Sequence, residues 1–134
     1  MSHRSIRHRV PAVLVALVVA VTAALVSPGP AQAAVQNNYL LNNGRYSAVG
    51  VGVWHDNHTG GYDGILPANR NTVDQWGWDH VSAFYIGTGY CADLFRTPAA
   101  NPGTWTFVDT VSPGRTNLSY SYSYQIHPFT APSC

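Results

Sequence analysis

From Ala34 to Cys134, glycine, proline, asparagine, threonine and serine interrupt every stretch long enough to hold an amphipathic helix. Alanine is sparse there, and short runs of β-branched and aromatic residues recur between turn residues. This pattern predicts an all-β chain, because branched and aromatic side chains suit a pleated, half-buried surface while Gly, Pro and Asn close the turns. Strands are expected over residues 46–55, 62–66, 81–86, 90–96, 104–109 and 118–126. The last alternates strictly, with Tyr120, Tyr122, Tyr124 and Ile126 on one face and Ser119, Ser121, Ser123 and Gln125 on the other. Such alternation marks a strand with one buried face. Turns are expected at 57–61, 67–71, 87–89, 98–103 and Pro113-Gly114.

The preceding 33 residues stand apart from that pattern. Arg4, Arg7 and Arg9 precede an Ala/Val/Leu run that reaches Val26, and Ser27-Pro28-Gly29-Pro30 then leads to Ala31-Gln32-Ala33. A basic start, an apolar run and a small-residue site describe a secretory signal peptide over 1–33, with cleavage after Ala33. The apolar run is shorter than the roughly 20 residues a membrane span needs, so no membrane association is expected after cleavage. Residues 34–134 suffice for a single small domain. They contain no Lys and no Glu, and Arg45, Arg70, Arg96 and Arg115 face six aspartates, a net of −2. That balance gives no electrostatic footprint for nucleic acid and no basic stretch for a membrane surface. The expected partner is extracellular and otherwise undefined. In an oxidising compartment the two cysteines, Cys91 and Cys134, are expected to pair. The bridge would close a loop of about 44 residues and contribute about 4 kcal/mol.

A faint repeat runs through the domain. Residues 81–86 (V-S-A-F-Y-I) echo residues 121–126 (S-Y-S-Y-Q-I), and Val53-Trp54 echoes Leu94-Phe95. Two units, over about 46–86 and 90–127, suggest a duplicated Greek key whose halves pack into a sandwich. The first unit reads V-W-H-D-N-H-T-G-G-Y and then W-G-W-D-H-V-S-A-F-Y-I-G; the second reads L-F-R-T-P-A-A-N-P-G-T-W and then N-L-S-Y-S-Y-S-Y-Q-I. With an aromatic, a short loop, a glycine and a later Ser-containing strand in each, the chain resembles the βγ-crystallin superfamily over residues 49–127. The W-G-W-D-H-V-S-A segment is similar to that of small secreted actinobacterial members. The resemblance implies a two-unit Greek-key sandwich. It also implies calcium ligands at Asp79 and Ser82, although Trp78 and Ala83 depart from the family's ligand pattern and Tyr122 replaces the hydroxyl in the second unit. At most one half-formed calcium site is expected. The plainer expectation is that Asp79 caps a turn and Ser82 ties down the hairpin.

Other side chains offer different chemistry. His55-Asp56-Asn57-His58, joined by His80, is a candidate transition-metal cluster; its plain alternative is a solvated turn. Trp76 and Trp78 flank Gly77 and serve either as a lid on the core or, with His55 and His58, as a binding surface. Trp54, Phe84, Phe95 and Ile126 are expected to be buried. No G-x-S-x-G elbow and no singled-out carboxylate pair point to catalysis. The expectation is a secreted, non-catalytic binding or stress-related module, binding calcium weakly at most. The alternatives are a protease inhibitor or killer-toxin-like antimicrobial effector acting through loops 69–75 and 98–103, and a small secreted hydrolase.

Overall fold

A computed structural model describes residues 37–134. The expected leader, 1–33, lies outside the described residues. Strands β1 (Leu40–Asn42), β2 (Val51–Trp54), β3 (Gly64–Leu66) and β4 (Arg70–Asn71) precede a single helical turn, α1 (Thr72–Trp76). After it come β5 (Ala83–Ile86), β6 (Tyr90–Pro98), β7 (Thr106–Val111), β8 (Gly114–Asn117) and β9 (Tyr122–Thr130). The chain is therefore mostly β, as its turn-broken sequence predicts.

The strands form two sheets, ordered β4-β1-β9-β6-β7 and β3-β2-β5-β8. Each half of the chain contributes to the other half's sheet: β1 and, through it, β4 join β6, β7 and β9, and β8 joins β2, β3 and β5. Their inward faces share one core, with Val51, Val53, Phe84 and Ile86 from one sheet and Leu40, Leu94, Tyr124 and Ile126 from the other. Phe84 and Ile86 precede Tyr124 and Ile126 by the same interval, so the repeat is a repeat of core positions. Trp54, Phe84 and Ile126 are buried as expected.

Several local expectations give way to register. Phe95 is only half-buried, because β6 turns Ala92 and Leu94 inward and leaves Phe95 outside against Phe107 and His127. The strand expected at 118–126 begins later, at Tyr122; Tyr120 falls in the preceding turn, exposed. Pro113-Gly114, expected as a turn, leads into β8, which pairs with β5 from Ile86↔Gly114 to Ala83↔Asn117. The expected loop 69–75 holds β4 and α1. Here the Asn71 side chain accepts from the Asp74 N–H at 2.8 Å, and Gly77, at φ 69°, ends the helix with its N–H on the Val73 carbonyl. A cap at each end lets so short a helix form.

The sequence leaves open whether residues 36–46 add an edge strand or form a loose arm; β1 lies inside the five-stranded sheet, parallel to β9 and antiparallel to β4. Two buried asparagines anchor it. Asn38 Nδ2 donates to the Val81 carbonyl (3.0 Å), and Asn38 Oδ1 accepts from the Val81 N–H (2.9 Å). Asn42 Nδ2 donates to the carbonyls of Val49 and Leu66 at 2.9 and 3.0 Å. These side-chain amides tie β1 and its flank to backbone groups of three other segments. Cys91 and Cys134 form the expected disulfide, which is compatible with an extracellular protein. No helix among the described residues is long and apolar enough to cross a membrane.

The β2 backbone passes directly under Tyr62. A Cβ on Gly52 would lie 2.5–2.9 Å from three Tyr62 ring atoms, Cγ among them. Gly52→Ala is therefore expected to push the ring off its seat beside Trp54 and cost about 1–3 kcal/mol, read by urea denaturation.

Candidate functional site

β2 and β5 pair antiparallel, with Trp54 opposite Ala83. The chain leaving β2 and the chain entering β5 therefore emerge side by side. The Ser82 N–H locks them together by donating to the Trp54 carbonyl at 2.9 Å. This brings the dipeptides His55-Asp56 and Asp79-His80 face to face.

The four side chains form a closed ring. His55 Nδ1 lies 3.1 Å from Asp56 Oδ2, and His80 Nε2 lies 2.9 Å from Asp56 Oδ1. On the other side His55 Nε2 and His80 Nδ1 approach the same atom, Asp79 Oδ1, at 3.0 and 2.7 Å. The imidazoles stack, with centroids 4.1 Å apart and planes 29° from parallel. The stack extends both ways: His55 meets Trp78 at 5.0 Å, Trp78 stacks on Trp76 at 4.6 Å, and His80 meets Tyr120 edge-on at 5.2 Å. Five aromatic or imidazole rings thus run along one corner, with both indoles half-buried against the core.

The loop carrying His55 and Asp56 is held from two directions. Asp63 accepts from the His55 N–H (2.8 Å) and pairs with His58 Nε2 (3.0 Å). Arg115, on β8, donates to the His58 carbonyl (2.8 Å) and to Asn57 Oδ1 (3.0 Å), and its guanidinium sits 4.4 Å over the Trp54 ring. The second half of the chain thereby braces a loop of the first.

The carboxylates respond to their partners. The hydrogen bond with His80 holds Asp56 below the usual carboxylate range, and the one with His55 does the same for Asp79. The Asp63 hydrogen bond raises His58, whereas burial lowers His127 against the attraction of Asp93. The last two shifts have opposite consequences. The His58 contribution is complete below its ordinary value of 6.5 and is lost as pH rises through its raised folded value. His127 imposes no penalty above 6.5, but destabilises as pH falls through its lowered folded value. In chelator, melting curves from about pH 5 to pH 8 should separate the two. Relative to wild type, His58→Gln should lose stability on the acid side, and His127→Phe should gain it there.

Of the residues singled out in the sequence, His55, Asp79, His80, Trp76 and Trp78 meet at this corner. His58 does not; it turns to Asp63. Ser82 is buried, and its hydroxyl donates to the Trp54 carbonyl at 3.2 Å. The calcium set implied by the resemblance therefore does not fit, because Asp79 is engaged by two imidazoles and Ser82 faces away into the backbone. The same bond leaves Ser82 unsuited to act as a nucleophile. Tyr120 was missed as a site residue; Asp56 stood inside the candidate cluster 55–58 without a role of its own, and the mirrored dipeptides His-Asp and Asp-His are the signal that gives it one. Elsewhere, a cavity of about 190 Å³ lies among Val49, Gly52, Tyr62, Ile65, Tyr85 and Tyr90, and among the described residues no charged side chain lines it. Comparison with family models, curated proteins and solved structures returned no significant match to this chain.

Proposed function

We propose that the chain is an exported, non-catalytic module of βγ-crystallin-like architecture that acts by binding an extracellular partner. The observation that carries the binding role is the corner itself. Its ring ladder and its two His-Asp pairs sit on loops braced by Asp63 and Arg115, so the surface is organised before any ligand arrives. The architectural part draws support from the exchange of β1, β4 and β8 between sheets and from the matching core positions on β5 and β9, as two Greek-key units sharing one core would require.

One observation favours the effector alternative. Residues 100–104 are exposed, and their loop is pinned by Gly103 N–H on Thr97 Oγ1 (2.8 Å) and Ala99 N–H on the Ser121 carbonyl (3.0 Å). A rigid exposed loop suits a protease inhibitor. The test is to incubate the exported product with a panel of secreted proteases, with yeast and bacterial cultures, and with generic ester, peptide and RNA substrates. The binding-module reading expects unchanged protease activity, unchanged growth and no turnover. Protease inhibition or killing would replace it with the effector, and turnover with the hydrolase.

A further inference from the structure

Asp56 reaches both imidazoles of the ring from one side, touching His55 Nδ1 and His80 Nε2. An ionised carboxylate accepts and cannot donate, so these are the ring nitrogens that carry hydrogen. In neutral imidazoles the opposite nitrogens, His55 Nε2 and His80 Nδ1, then present lone pairs. His55 Nε2 points at Asp79 Oδ1 at 3.0 Å and His80 Nδ1 lies 2.7 Å from the same oxygen, which also has only lone pairs to offer. Three such atoms at these distances repel unless positive charge stands among them. We infer that this charge is a divalent transition-metal ion, zinc being the probe of choice, bound by His55 Nε2, His80 Nδ1 and Asp79 Oδ1.

The geometry suits that role. The three donor atoms all lie within 4.8 Å of one another. Zinc bonds of about 2.0–2.2 Å in a tetrahedron separate donors by about 3.3 Å, so the closest contacts need open by only about half an ångström. Two imidazole nitrogens with one carboxylate oxygen select a borderline ion over calcium, which takes about six to eight oxygens. Asp56 acts as the outer carboxylate that fixes both tautomers and ring orientations, a partner that metal-binding histidines regularly have. The side chains of Asp79 and Asp56 are 58% and 68% exposed, which gives the ion a path and leaves its fourth position to water or to a donor from a partner. The site also gives a chemical identity to the binding corner, yet it stands whether or not the fold is βγ-crystallin-like.

Calorimetric titration of zinc chloride into the chelator-treated exported protein tests the inference, with calcium chloride as the comparison. A single saturable zinc site is expected. His55→Gln and His80→Gln should each weaken it at least about tenfold, and Asp56→Asn by about 10–100-fold. His127→Gln, on the other sheet, should leave it unchanged. Loading wild-type protein with cobalt(II) should give the intense visible bands of a tetrahedral site, a readout that needs no variant to fold. Absence of saturable zinc uptake at neutral pH would overturn the proposal. Uptake undiminished in both histidine variants, or a preference for calcium, would overturn it equally. None of these failures touches the protease, growth and turnover assays on which the binding-module reading stands.

Discussion

Phe84→Ala is expected to cost about 3–5 kcal/mol, since it deletes a fully buried ring from a close-packed core. Phe84 sits on β5, an interior strand of the four-stranded sheet, between Val53 on β2 and Thr116 on β8. Its ring belongs to the cluster that joins the sheets, so neighbours on both sides lose packing at once. For a domain of this size the melting temperature should drop by roughly 4–8 °C per kcal/mol. The adjacent Tyr85 is a fitting control. It points to the opposite face and is 37% exposed, and Tyr85→Ala should cost less than about 1 kcal/mol. Chemical denaturation of both variants checks the contrast. Equal losses would mean that the inner and outer faces of β5 are misassigned.

Removing the disulfide should have a similar effect by a different route. Cys91 is fully buried on β6, and Cys134 lies 43 residues further along the chain. Closing that loop restricts the unfolded chain by about 4 kcal/mol in the entropy model. The native pairing of β6 with β9 runs from Tyr90↔Thr130 to Pro98↔Tyr122 and does not depend on the bridge. The reduced protein should therefore keep its far-ultraviolet spectrum while melting about 15 °C or more lower. Cys91→Ala/Cys134→Ser should behave like the reduced wild type. A change of only a few degrees would show that the unfolded chain is already restricted without the bridge.

Much of the core was legible in the sequence because it depends on local pattern. Trp54, Phe84 and Ile126 lie in short apolar or alternating runs, and such runs bury one face wherever they pair. Phe95 was misread for the same reason. Which of two neighbouring apolar residues faces inward is set by register against β9, where Leu94 stands opposite Ile126 and Phe95 opposite Gln125. β1, β4 and β8 were not read as strands, because no alternating apolar run marks them and their pairing is with segments far along the chain.

The site divides the same way. In the sequence, Asp79 belonged with Ser82 in one constellation and His80 with His55 and His58 in another. Pairing of Trp54 with Ala83 regroups them, turning Ser82 and His58 away and setting Asp56 and Asp79 on either side of the two imidazoles. Taken alone, the sequence determined an all-β chain with its cysteines paired, because helix-breaking residues and cysteine pairing in an oxidising compartment need no knowledge of distant neighbours. Tertiary structure alone decided that β1 lies inside a sheet and that two histidines share two carboxylates. Both outcomes rest on contacts across strands, where a shift of one residue would send each side chain to the opposite face.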